Sequence, residues 1–419
     1  KKFGWEPIVL TVGVNYVYNE DINLLKELEG IPIYRARYIE PSIRGLKMAL
    51  GGEDRTYKTL KGQGAYDNLI DTNASESNNK PQKETLSSRI YKYLLDNYLN
   101  TPDRFWTWEV SAVKLGTRII KDHNIGTIYT TCLPFTTNKI GLRLKKQTGV
   151  NWVADFRDPI TYAKRMYSHV DRIFLKQKKI QDLTFEFADA VTGLSSAYSL
   201  IFHDQYSGKY SDKFAFIPTG LDDDYLPEVT ETNDELNEIT FVGEYLEEYE
   251  DFFFKIFKKA IIGLEESKVP KINIVGNILI NKQTALKYIT PLNLLGYVQF
   301  FPFVPQKELY RMLSKSRFVI LLSGNTSLWW TNFAKLVDYI ALKKKVLAFV
   351  PDISEARSEL NKAGLGVFIS NDIVGENKLR ELFKSSIKEE RFINTEYCEK
   401  YLASSQTKSF IEIFENIQK

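Results

Sequence analysis

Two short stretches carry side chains whose types and spacing suit chemistry. In Thr331 to Pro351 (TNFAKLVDYIALKKKVLAFVP), Thr331, Lys335 and Asp338 stand at i, i+4 and i+7, which is one face if the stretch is helical. An ammonium beside a carboxylate at the edge of a buried helix suits a ligand that carries both phosphate and vicinal hydroxyls. The same two residues also fit a plain i,i+3 ion pair worth roughly 0.2–0.5 kcal/mol. In Asn151 to Pro159 (NWVADFRDP), Asp155, Arg157 and Asp158 crowd the end of an apolar run. Asp-Pro favours a turn there, and the strand ends of parallel sheets are where ligands meet exposed side chains. A structural reading stands beside the chemical one, with Arg157 pinned between two carboxylates.

The elements that must position these residues read as alternating helices and strands. Phe333, Leu336, Val337, Ile340 and Ala341 recur at helical spacing and predict a buried stripe, and Val346 to Val350 is an apolar run suited to a covered parallel strand. Upstream, the pattern predicts helices over 105–122, 136–147, 251–262 and 306–314, with strands at 6–12, 31–35, 125–131, 151–155, 190–193 and 317–322. Such alternation means parallel, doubly wound sheets. The sequence therefore predicts an α/β chain of two Rossmann-like domains, 1–220 and 221–395, facing each other across a cleft, with a helix in 396–419 crossing back to the first. The pattern reads as if the first domain is entered after its opening strand. Residues 51–85, rich in Gly, Asn, Ser, Lys and Gln, read as a mobile insertion, and 231–238 as a polar connector.

Composition narrows the classes. At 419 residues and 43% hydrophobic content the chain is long enough for two cores. No apolar run approaches the roughly 20 residues needed to span a bilayer. Cys132 and Cys398 are far apart and the three histidines are scattered, which argues against a disulfide framework or a zinc site and fits a reducing cytoplasm. Charge is uneven. Residues 139–182 hold eleven Lys and Arg against four Asp, a local excess of +7 in a chain of net +3. That predicts either a basic face for an anionic membrane surface or phosphorylated acceptor, or solvated helix faces. Aromatic residues do not interleave with these charges as a nucleic-acid platform requires, so nucleic acid is not an expected partner. Asp222, Asp223 and Asp224 follow Gly220 in a hinge-like segment and are not expected to hold a metal.

Lys335, Asp338, Tyr339, Ile340 and Ala341, followed by a basic turn and a Val-Leu-Ala strand, resemble the donor-site helix of family 4 glycosyltransferases, enzymes of the GT-B fold. NWVADFRDP resembles the W-x-A-D-F-R-D-P motif of a bacterial branch of that family. TTCLPFT (Thr130 to Thr136), ADAVTGLS (Ala188 to Ser195), IPTGLD (Ile217 to Asp222) and FVG with EYLEEYED (Phe241 to Asp251) extend the resemblance along the chain. It implies a retaining, metal-independent transfer, without cofactor, of a sugar from a nucleotide-sugar donor to a glycan or lipid-linked hydroxyl acceptor. The setting it implies is bacterial surface polysaccharide or glycoconjugate synthesis, in the cytoplasm or at the inner face of the plasma membrane. The donor residues are then Gly243, Ser323, Thr331, Lys335 and Asp338. Lys335 and the loop from Ser323 to Thr331 meet the leaving phosphates, and Asp338, standing where Glu is usual and one methylene shorter, grips the ribose. Arg157, Asp158 and Asp155 are the candidate catalytic residues, with Arg157 and Asp158 facing the transferred sugar and acceptor.

One departure bears on mechanism. Many family members follow the first glycine of the second domain with Arg and then Lys, which neutralise the donor diphosphate; here Glu244 follows Gly243 and Tyr249 stands at the Lys position. Lys335, the start of its helix and Arg157 are the available substitutes. The same departure admits a catalytically silent nucleotide-sugar or glycan binder. A sugar epimerase of the same fold would need an acid and a base on both sides of the sugar, and no obvious pair is present.

Overall fold

The computed structural model describes residues 1–13, 28–41, 90, 93, 94, 97, 98, 100–164, 166–227, 236–323, 326–385 and 393–419. The expected insertion at 51–85 and residues 231–235 of the connector lie outside the described residues. The chain divides into two compact units.

Unit 1 comprises Lys1–Gly193, Ile201–Ala215 and Glu412–Lys419. Strands β1 (Val9–Val12) and β2 (Ile33–Ala36) pair in parallel, and β3 (Thr127–Cys132), β4 (Asn151–Phe156), β5 (Ala190–Gly193) and β6 (Phe214–Phe216) lie side by side in that order. The described strands thus form two sheets here, where the sequence pattern predicted one. Helix Phe135–Thr148 crosses from β3 to β4 and helix Asp171–Phe187 from β4 to β5, the connection that parallel pairing demands. The start of the first helix is capped from a distance. Asp103 accepts the Thr136 N–H at 2.9 Å and the Thr136 hydroxyl at 2.7 Å, satisfying donors that a helix N-terminus leaves unpaired. The helix ends at Gly149 in the left-handed region. Midway, Gly141 lets it lie flat on Trp152: a Cβ there would stand 2.6 Å from the indole ring.

Unit 2 comprises Leu194–Leu200 and Phe216–Ile411. Its strands are β7 (Leu236–Val242), β8 (Lys271–Val275), β9 (Val298–Phe301), β10 (Ser316–Leu322), β11 (Val346–Phe349) and β12 (Gly366–Phe368). They form one six-stranded sheet in the order β12-β11-β10-β7-β8-β9, every pairing parallel. The chain winds outward from β7 to β9, returns to the other side of β7, and winds outward again. The order therefore reverses between β7 and β10, and the crevice at their carboxyl ends is where such sheets bind ligands.

Both faces of this sheet are covered, and β10 displays the period. Phe318, Ile320 and Leu322 enter one core with Phe241, Phe253, Phe254 and Phe257, while Val319 and Leu321 enter the other with Leu336, Ile340 and Leu360. Alternation with apolar residues on both sides is the pattern of a doubly covered strand, and each such side chain contributes about 1.5–3 kcal/mol by leaving water.

Two expected helices differ in their bounds, each for a visible reason. The last one is broken into Thr395–Glu399 and Ala403–Asn416, because Leu402 makes a bridge to Leu221 and Asp223 caps the second piece through the Ser404 N–H (2.9 Å) and hydroxyl (2.6 Å). The helix expected from Thr331 begins at Ala334. The Thr331 N–H closes the preceding turn on Leu328 at 2.9 Å, and Asn332 spends its side-chain amide on the Leu194 carbonyl at 3.0 Å. Side chains that bond backbone outside the helix disfavour its interior. Among the described residues, no helix is long and apolar enough to cross a membrane.

Candidate functional site

The crevice at the β7/β10 switch point of unit 2 gathers Gly243, Ser323 and Lys335. Gly243 follows β7 with φ +107° and Gly276 follows β8 with φ +153°, backbone that only glycine adopts cheaply. Ser323 follows β10, is buried, and ties its N–H to the Phe349 carbonyl at 2.9 Å. Lys335, on the first turn of helix Ala334–Ala341, lays its ammonium over the Phe241 ring, 4.3 Å from the centroid. A Cβ on Gly243 would lie 3.6 Å from that ammonium, so the glycine keeps the space beside it open.

Among the described residues, Lys335 has neither an ion-pair nor a hydrogen-bond partner. It keeps some contact with solvent, yet the atoms around it withhold enough water to hold its pKa down at about 8, and desolvation is the cause. The expected alternative, an ion pair with Asp338, does not form. Asp338 turns instead to Tyr310, whose hydroxyl donates to Oδ1 at 3.0 Å and accepts from Gln306 Nε2 at 2.5 Å. Burial pushes the Asp338 carboxyl up to about 6, and the Tyr310 hydrogen bond opposes that rise. One helix thus carries an ammonium with no ion-pair or hydrogen-bond partner among the described residues and a carboxylate bonded by the Tyr310 hydroxyl; by their chemistry the first suits an anion and the second suits hydroxyl donors.

Thr331 does not join them. It precedes the helix by three residues, so the i, i+4, i+7 face does not exist, and its hydroxyl is buried without a partner among the described residues. Trp330 is buried and packs on Tyr198, 6.0 Å between centroids. Of the acidic triplet, Asp222 accepts the Asp224 N–H at 3.0 Å and Asp223 caps Ser404; these carboxylates cap turns and helices.

The second constellation lies in unit 1. The expectation that Asp155, Arg157 and Asp158 are exposed together is corrected for Asp155, which is 1% exposed. Parallel register places Thr131, Asp155 and Thr192 in one row across β3, β4 and β5. The Thr192 hydroxyl donates to Oδ1 at 2.7 Å and the Thr131 hydroxyl to Oδ2 at 3.1 Å. Arg157, two residues on and therefore on the same face, brings Nε to 3.2 Å from Oδ2 while its own side chain stays 42% exposed. Asp155 is thus a buried anchor that aims Arg157, and Asp158 is half-buried beside it. The Tyr129 ring is partly exposed, yet protein atoms crowding its hydroxyl and the nearby Asp155 charge raise that hydroxyl above its usual range.

The basic stretch 139–182 is partly neutralised from outside itself. Glu109 holds Lys139 at 2.5 Å and Arg143 at 3.2 Å, and Asp189 holds Lys145 at 2.7 Å.

Several site residues were not expected from the sequence: Phe241 under Lys335, Tyr310 against Asp338, the Thr131 and Thr192 hydroxyls, and Asn281, which bonds the Gly243 turn. The threonines carried a signal, since each stands at the end of a predicted strand. Asn281 lies one helical turn after Asn277 behind a glycine, a pattern that names a helix start but not its target.

No family model matches this sequence, and no curated protein sequence matches it. Solved structures do. A glycosyltransferase from Rickettsia africae is 14% identical with a TM-score of 0.55, over 100% of this chain and 92% of that one. Sucrose-phosphate synthase from Thermosynechococcus elongatus is 12% identical with a TM-score of 0.51, over 74% and 78%. HepE from Anabaena, in complex with UDP, is 15% identical with a TM-score of 0.50, over 74% and 82%. The fold is that of the GT-B glycosyltransferases. Identities this low speak to the fold alone, and they agree with the strand order of unit 2, in which the Lys335 crevice occupies the switch point of a Rossmann-like sheet.

Proposed function

We propose that this chain is a retaining, metal-independent glycosyltransferase of the family 4 type that moves a sugar from a nucleotide-sugar donor to a hydroxyl acceptor, with unit 2 holding the donor. The observation that carries this reading is the unpaired Lys335 ammonium beside the open face of Gly243, at the end of the sheet where phosphate-bearing ligands bind. Burying a cation without a partner is unfavourable unless an anion completes it. A nucleoside diphosphate supplies that anion, and the start of helix Ala334–Ala341, which has no side-chain cap, adds N–H groups and the positive end of a dipole. The HepE structure contains UDP, in keeping with a donor of this chemistry.

In such a transfer the leaving diphosphate gains charge while the sugar becomes oxocarbenium-like, so groups preorganised to meet those charges matter more than a strong nucleophile. Lys335 takes the diphosphate and Asp338, oriented by Tyr310, takes the ribose hydroxyls. Arg157, aimed by Asp155, and Asp158 are the proposed reaction-centre residues of unit 1. The W-x-A-D-F-R-D-P likeness supports a role in bacterial surface glycan synthesis with a glycan or lipid-linked acceptor.

A thermal-shift panel of nucleosides, nucleoside diphosphates and nucleotide sugars tests the donor reading. A ligand at a hundred times its Kd stabilises the folded state by about 2.7 kcal/mol, and diphosphates should shift the melt far more than their nucleosides. Equal shifts, or none, would remove the anion site. The replacement of the usual cations by Glu244 and by Tyr249, which packs edge-on against Tyr245 at 5.6 Å, favours a silent binder as the second reading. Donor hydrolysis or transfer by a protein that binds nucleotide sugar decides between them.

A further inference from the structure

The turn after β7 is held by a side chain from the next helix. Asn281, fully buried in helix Ile278–Ile289, donates Nδ2 to the Gly243 carbonyl at 3.0 Å and accepts the Tyr245 N–H on Oδ1 at 2.7 Å. One amide therefore spans the residue between them, Glu244. Gly276 closes the other side of the same carbonyl: a Cβ there would stand 2.6 Å from the Gly243 oxygen and 3.3 Å from Asn281 Nδ2. The consequence is a turn with fixed faces. Tyr245 is buried, Glu244 is exposed, and the α-carbon of Gly243 looks onto the Lys335 ammonium.

An amide is suited to this task because it donates and accepts at once. A carboxylate of the same shape can only accept, and would set its second oxygen against the Gly243 carbonyl. The helix that carries Asn281 is itself anchored, since the Asn277 side chain accepts the Ile280 N–H at 3.3 Å, so Asn281 works from a rigid base. From this geometry we infer that Asn281 is a positioning residue of the donor site: it holds the Gly243–Tyr245 turn against Lys335 and so shapes the space for the donor's diphosphate. The inference rests on the donor reading above, and it assigns Asn281 no contact with the ligand.

Asn281→Asp is the test, with affinity for a nucleoside diphosphate and for its parent nucleoside measured by calorimetry on the full chain. Losing one hydrogen bond that orients the turn should weaken the diphosphate about tenfold, with nucleoside affinity nearly unchanged. Asn281→Ser serves the same purpose if the Asp variant does not fold. A variant whose melting temperature falls while the diphosphate-to-nucleoside affinity ratio stays at the wild-type value makes Asn281 structural only and overturns the positioning role. Wild-type protein that binds no nucleoside diphosphate overturns the donor reading itself, so the two failures are distinguishable.

Discussion

Lys335→Met should make the ligand-free protein more stable while damaging the proposed donor site. Burial takes the Lys335 pKa from 10.5 to about 8, which corresponds to at most about 3 kcal/mol held against the folded state. The ammonium also rests on Phe241, a contact worth about 1 kcal/mol that the variant loses. A net gain of about 2 kcal/mol at pH 7 is expected, because Met fills the same space without a charge to desolvate. The sign with pH follows from linkage. The folded-state value lies below the unfolded one, so between pH 8 and 10.5 the unfolded chain binds the extra proton. Wild-type stability therefore rises with pH across that window, and below it the penalty is complete. Urea unfolding of both proteins at pH 7 and pH 10 isolates this group, since the other titrations are common to both. The advantage of Lys335→Met should shrink by most of its value at the higher pH. Nucleoside diphosphate affinity in the variant should fall on the order of a hundredfold, the scale of a lost charge-assisted pair, and nucleoside affinity much less. A variant that is less stable at pH 7, or a difference that ignores pH, would refute the claim that Lys335 waits unpaired for an anion.

For Asp338, whose carboxyl sits at about 6, donor affinity should weaken as pH falls through 6, because the protonated acid accepts fewer hydroxyl donors; Asp338→Asn should flatten that limb of the binding profile. Arg157→Ala should lower turnover by about a hundredfold with little change in donor affinity, whereas Asp155→Ala should lower turnover and also destabilise unit 1, since it leaves the buried Thr192 hydroxyl without its acceptor; activity and melting curves read the two apart. Gly141→Ala should destabilise by about 1–3 kcal/mol, seen as an earlier denaturant midpoint, because the new Cβ meets the Trp152 ring at 2.6 Å.

The α/β class and the boundaries of most strands were legible in the sequence, because buried parallel strands and amphipathic helices write their period directly into residue order. Val346–Phe349 and Asn151–Phe156 lie where the apolar runs placed them. The short-range chemistry was legible as residue types: Lys335 and Asp338 on one helix, Arg157 at a strand end. Their partners were not. Spacing along a helix permits an ion pair between Lys335 and Asp338, and only the fold decides that Phe241, from a strand 94 positions earlier, lies under one while Tyr310 takes the other. Asp155 carried the same ambiguity. A carboxylate at a strand end reads as exposed until parallel register sets Thr131 and Thr192 on either side of it. The start of helix Ala334–Ala341 was likewise decided by contacts distant in sequence, since Asn332 bonds the carbonyl of Leu194. Local sequence determines which groups a segment can offer. Which of them are spent inside the protein, and which are left for a ligand, depends on neighbours brought together only by tertiary packing.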